Sequence, residues 1–295
     1  MNATLGVTTL GLYLTAIILL WFDNLWTGKE ENESAERSPD SSARNSSSSS
    51  NSIVHPTIKP TTLGFAATVL GGLAVHFILA AQTSYVQHSF NFSVASMSLW
   101  ISALVIFIFL VGTLIHPIKN LGLVVLPVSS LCLLFAFFWG DNVTLVSQQT
   151  SLFYWHIALS ITGFTLLALS VLQSILFAVQ EISFRRHKSN HLTKLLPPLQ
   201  TMEQVLFKIL WLGFSTLTIA IILGAFYNYQ TKGNFFSFTH HNLLSFLGWL
   251  AFAILLYGRI IYGWRGIQAV KWTIGGFALI ELGYFGSKII SEMVA

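Results

Sequence analysis

Cysteine is almost absent: Cys132, inside an apolar run, is the single one in 295 residues. That excludes a CxxC redox pair and a thiolate metal cluster, so any redox or metal chemistry must rest on histidine. Charge is nearly as scarce, with Asp, Glu, Lys and Arg at 9% against 54% hydrophobic residues. Such a chain has too little polar surface to cover its apolar volume in water, and lipid must be its solvent. The sequence also lacks HExxH, Walker A, GxSxG and paired-carboxylate patterns, so no catalytic residues of its own, and hence no enzyme, are expected. No basic stripe with interleaved aromatics occurs on a soluble segment. Membrane lipid, and not nucleic acid, is therefore the expected surrounding partner.

What is present is a series of apolar runs at about 3–22, 61–81, 94–116, 120–139, 153–180, 205–227, 242–262 and 270–290, each roughly the 20 residues needed to cross a bilayer as a helix. They predict an all-α, polytopic transmembrane helical bundle of about eight spans. The first run lacks the basic start of a signal peptide and reads as a retained helix, 1–22. Residues 23–59 carry Glu30, Glu31, Glu33, Glu36 and Asp40 and then Ser46 to Ser50, a composition that reads as a disordered linker. Residues 60–295 form the remaining seven-helix membrane domain.

Lys and Arg set the orientation. Lys29, Arg37, Arg44, Lys59, Lys119, Arg185, Arg186, Lys188, Lys194, Lys208, Arg259, Arg265 and Lys271 belong to one face, and the other has only Lys232 and Lys288. This places the linker in the cytoplasm and both termini outside, on the periplasmic side of a bacterial inner membrane.

Of nine histidines, His55, His187 and His191 lie in polar cytoplasmic segments, and His116 precedes Pro117 at a helix end. His76, His88, His156, His240 and His241 fall near the outer face. His76 and His156 lie inside spans, both roughly 5–8 Å below the outer interface at 1.5 Å rise per residue. Two imidazoles at one depth can ligate one iron from opposite sides. Gly72 and Ala80 beside His76, and Ser160 and Gly163 after His156, are small enough to leave room for a flat macrocycle. Spacing alone equally allows two interfacial histidines hydrogen-bonded to neighbouring helices. His240-His241 reads as a helix start capped by Thr239 or Asn242. Within spans, Arg259 sits close enough to the cytoplasmic end to snorkel, whereas Glu281, near the middle of the last span, needs a partner, a proton or a role.

The stretches YWHIALSITGF at 154–164, PPLQTMEQVLF at 197–207, HNLLSFLGWLAFAILLYGR at 241–259 and YGWRGIQAVKWTIGGFALIELGYFGSKII at 262–290 resemble the YpjD-like branch of the CcsA/CcmC cytochrome c assembly family. The resemblance implies a haem-binding or haem-handling inner-membrane protein of the cytochrome c biogenesis class. It implies that His156, in a His-xxx-Ser pattern with Ser160, is a haem ligand, and that His76 matches a histidine typical of that branch. Other cytochrome c maturation or membrane proteins would then be partners. Where the wider family has a tryptophan-rich outer segment, this chain reads NYQTKGNFFSFTHHN, and an intramembrane histidine of the family aligns with Arg259. The alternative is a haem-free structural or regulatory subunit supporting a transporter or assembly complex.

Overall fold

The structure, a computed structural model, describes residues 2–36, 60–86, 89–115, 118–139, 145–146, 150–186, 196–235 and 239–289. It is an all-α polytopic bundle. The helices are α1 (Ala3–Glu36), α2 (Pro60–Ser84), α3 (Val94–Ile115), α4 (Gly122–Trp139), α5 (Ser151–Arg185), α6 (Leu199–Lys232), α7 (His240–Ile261) and α8 (Gly266–Glu281). Seven of them are long and apolar enough to cross a membrane. The eighth expected span keeps α-helical geometry for 16 residues and then widens into a π turn, Leu282–Gly286, before three more helical residues. The first helix runs on to Glu36, so the segment expected as linker begins as helix, and residues 37–59 lie outside the described part.

The helices pack in two groups. Tyr13, Leu20, Val69, Ile106, Phe109 and Val125 centre the first, made by α1 to α4. Phe164, Leu210, Phe252, Leu255 and Ile280 centre the second, made by α5 to α8. Contacts of α3 with α5 join the two groups. Large apolar side chains such as Leu14, Ile78, Phe138, Ile222 and Ile254 point outward. Lipid tails are as apolar as these side chains, so burial between helices gains little hydrophobic energy, and close backbone approach with interhelical hydrogen bonds must hold the bundle. Trp249 Nε1 donates to Thr218 Oγ1 (2.9 Å), Gln173 to the Met202 carbonyl (3.1 Å) and Gln180 to the Pro197 carbonyl (3.0 Å).

One feature had no apolar signature. Three short antiparallel strands, β1 (Tyr85–Val86), β2 (Ser89–Asn91) and β3 (Leu145–Val146), pair in the order β1-β2-β3 at the end of the bundle where α5 begins. Behind them Phe92, Phe153 and Tyr227 make a run of ring contacts, with centroids 5.6 and 5.1 Å apart. This end of the bundle is poor in Lys and Arg. The opposite end carries Asp23–Lys119 (2.6 Å), Glu181–Arg185 (2.8 Å) and Glu203–Arg259 (3.1 Å).

Candidate functional site

α5 starts at Ser151 because the Thr150 side chain accepts from the Phe153 amide, which satisfies one otherwise orphaned donor of the first turn. It then runs antiparallel to α6 at very close range. A Cβ on Gly163 would lie 3.0 Å from the Leu217 amide nitrogen, and one on Gly213 would lie 3.0 Å from Leu167 Cδ2. The room expected at Gly163 for a macrocycle is therefore filled by the α6 backbone.

One step further along the same seam, His156 lies flat against α6. A Cβ on Gly224 would come within 2.6 Å of His156 Cε1, so only glycine leaves space for the ring. The gap lets His156 Nδ1 reach the Ala220 carbonyl at 2.7 Å. A carbonyl oxygen only accepts, so Nδ1 carries the proton and Nε2 keeps the lone pair. Nε2 has no hydrogen bond among the described residues.

The α7–α8 pair repeats this device. Thr239 caps α7 through the Asn242 amide, which places His241 in the first turn as the sequence suggested. Its ring, however, is not turned to solvent. Nδ1 donates to the Gly283 carbonyl at 2.9 Å, and Nε2 again makes no hydrogen bond among the described residues. Gly283 belongs to the π turn, where the wider hydrogen-bond pattern re-aims the carbonyls; the same oxygen also accepts from Ser287 Oγ at 2.6 Å. A Cβ at this position would press to 3.1 Å from Leu244 Cβ.

Both imidazoles line one cavity of about 480 Å³. Its walls are Met97 and Ile101 of α3, Phe164 and Ser160 of α5, Leu217 and Ile221 of α6, and Ile280 and Tyr284. Asn228, Lys232, Thr239 and Asn242 give it a polar, positively charged side at the strand-bearing end of the bundle. Chemically it offers two imidazole rings, an apolar slot and one ammonium.

His76 is elsewhere. It is fully buried between α1, α2 and α3, with Nδ1 at 3.0 Å from the Tyr13 hydroxyl and Nε2 at 3.3 Å from Ser102 Oγ. Ser102 Oγ also lies 2.7 Å from the Ser98 carbonyl, which can only receive its proton. Ser102 therefore accepts from His76 Nε2–H, and Nδ1 accepts from Tyr13. Both nitrogens are engaged, so the two histidines expected to face one iron are not brought to the same cavity. Gly72, read as room for a macrocycle, is covered by Tyr13, whose Cε1 would lie 2.6 Å from a Cβ there.

Arg259 pairs with Glu203 (3.1 Å), donates to the Trp264 carbonyl (3.1 Å) and lies over the Phe207 ring, 4.2 Å from its centroid. It ties α7 to α6 and is no partner for Glu281, which is half-buried just before the π turn. The backbone of His240 opens α7; His55, His88, His116, His187 and His191 lie outside the described residues. The pairing of His241 with the π turn was not legible in the sequence. The visible signal was a histidine in the first turn of a helix at the same end as His156.

Comparison with known proteins places the chain. The family model described as Cytochrome C assembly protein matches residues 65–295. The inner membrane protein YpjD of Escherichia coli is 29% identical over 142 residues, 48% of this chain and 52% of that protein. The cytochrome c biogenesis protein CcsA of Chlamydomonas reinhardtii is 28% identical over 180 residues, 59% of this chain and 50% of that protein. The CcsA of a Picosynechococcus is 33% identical over 92 residues, 31% of this chain and 27% of that protein. The chain spans about half the length of the first two of these relatives. No solved structure matches it. With a match from the second turn of α2 to the last residue, this multi-pass membrane protein belongs to the cytochrome c assembly protein family.

Proposed function

We propose that the protein binds haem in the cavity between α3, α5, α6 and α7 and handles it for cytochrome c biogenesis at the inner membrane. The observation that carries the reading is His156: an imidazole on a cavity wall with Nδ1 pinned to a backbone carbonyl at 2.7 Å. That arrangement fixes the tautomer and raises the basicity of the other nitrogen, as metal-ligating histidines require. The donor set supports haem over a bare ion. Among the described residues no group of three His, Cys, Asp or Glu side chains could hold a metal ion, so the cavity suits an iron that brings its own equatorial ligands. Its volume of about 480 Å³ falls in the range of cofactor pockets, and its walls are mostly apolar.

Haem would supply the redox-active iron and a reactive periphery. The chain's own residues bind and orient. His156 holds the iron, Phe164, Leu217 and Ile221 exclude water from the slot, and Lys232 with Asn228 offers the charge and hydrogen bonds that carboxylate side groups need. No catalytic group of the protein is involved, and covalent attachment to an apocytochrome falls to partner proteins of the maturation pathway. The E. coli relative is an inner membrane protein and the others are cytochrome c biogenesis proteins by name, which supports the same setting here.

The test is direct. Full-length protein purified in detergent after expression with ample haem supply is expected to carry haem close to one per chain, with the amount falling sharply in His156→Ala. Absence of haem from the unmutated protein, even after titration with hemin, would instead favour a haem-free structural or regulatory subunit.

A further inference from the structure

We infer that His241 would hold the haem iron together with His156, and that the π turn after α8 positions its ring through the Gly283 carbonyl. This rests on the haem reading above and assigns a ligand where the sequence pointed to His76.

Three observations converge. His156 and His241 line the same cavity from different helix pairs, α5–α6 and α7–α8, so a macrocycle lying between them would be reached from two walls. Each ring is fixed in the same way, Nδ1–H to a backbone carbonyl, at 2.7 Å to Ala220 and 2.9 Å to Gly283. Glycine allows the close approach in both places: a Cβ on Gly224 would meet the His156 ring, and one on Gly283 would meet Leu244 Cβ and the His241 carbonyl, where α7 lies against the π turn. Two histidines with the same tautomer and bare Nε2 atoms are what a bis-imidazole iron needs. His76 cannot compete, since its only lone pair accepts from Tyr13 and its only N–H is given to Ser102.

A purely structural role for His241, tying α7 to α8 through Gly283, needs only Nδ1. The two roles therefore separate on the state of the iron. The full-length protein in detergent is titrated with hemin and read by absorption and by electron paramagnetic resonance, with His241→Gly, His76→Gln and His156→Gly beside the unmutated chain. Low-spin iron is expected in the unmutated protein and in His76→Gln. High-spin iron is expected in His241→Gly, returning to low spin when free imidazole fills the vacated position. That rescue separates a missing ligand from a misfolded chain.

Low-spin iron that persists in His241→Gly while His76→Gln turns high-spin overturns the assignment and leaves haem binding intact. A high-spin signal in His241→Gly that imidazole does not restore, with thermal stability lost in step, also overturns it, in favour of the structural tie. No hemin bound by any form, the unmutated protein included, removes the haem reading and this inference with it.

Discussion

Gly224→Ala tests the seam on which the site is built. The added Cβ would stand 2.6 Å from Cε1 and 2.9 Å from Nδ1 of His156, whereas carbon atoms settle at about 3.5–4.0 Å. The ring must therefore withdraw by about 1 Å. Its bond to Ala220, now 2.7 Å, would stretch to about 3.7 Å, past the limit of a hydrogen bond. With the tautomer unlocked, hemin affinity should fall by about 10–100-fold, the usual cost of losing such an outer partner. Gly163→Ala is the matched control. It crowds the same two helices, with its Cβ 3.0 Å from the Leu217 nitrogen, but it does not touch His156. Overpacking there should cost about 1–3 kcal/mol of stability and leave the hemin spectrum unchanged. The assay is hemin titration followed at the Soret band, alongside thermal unfolding of the same samples. Equal affinity and an identical spectrum in Gly224→Ala would refute the claim that this glycine positions the ligand.

Tyr13→Phe removes one hydroxyl from the buried chain Tyr13–His76–Ser102 and leaves an imidazole nitrogen unpaired. Unfolding measurements in detergent should show a loss of about 1–3 kcal/mol, with hemin binding intact; a variant as stable as the parent would mean that the hydroxyl is not holding α1 in place. For orientation, the basic residues at one end predict that a reporter fused at residue 45 is active on the cytoplasmic side and one fused at the C-terminus on the outer side. Alkaline phosphatase activity from the residue 45 fusion would reverse the topology.

The number of helices could be read from the apolar runs because in lipid every span must satisfy its own backbone and stay apolar for about 20 residues. Helix facing could not be read. A span that is apolar all round has no stripe to show which side meets protein, so matched depth put His76 and His156 together although α2 turns His76 toward α1 and α3. His156 was accessible through the His-xxx-Ser resemblance. The value of His241 depended on a π turn 42 positions downstream, and nothing in the run LGYFG marks one extra residue in a helical turn. Gly72 and Gly163 were recognised as small, yet what fills the space beside them, Tyr13 and the α6 backbone, comes from elements far away in sequence.

The first helix lies wholly outside the region matched by the family model, and two of its polar contacts set a timetable for biogenesis. Tyr13 meets His76 across 63 residues, and Asp23 meets Lys119 across 96. At translation speeds of about 5–20 residues per second, the tyrosine waits roughly 3–13 s for its imidazole, and the aspartate roughly 5–19 s for its ammonium. The helix thus precedes both partners, acquires its imidazole contact when α2 enters, and is locked at the basic end only after α3 has crossed and the turn into α4 has been made. Assembly of this half of the bundle is sequential, and a ribosome pause between residues 76 and 119 would hold it at a half-docked stage.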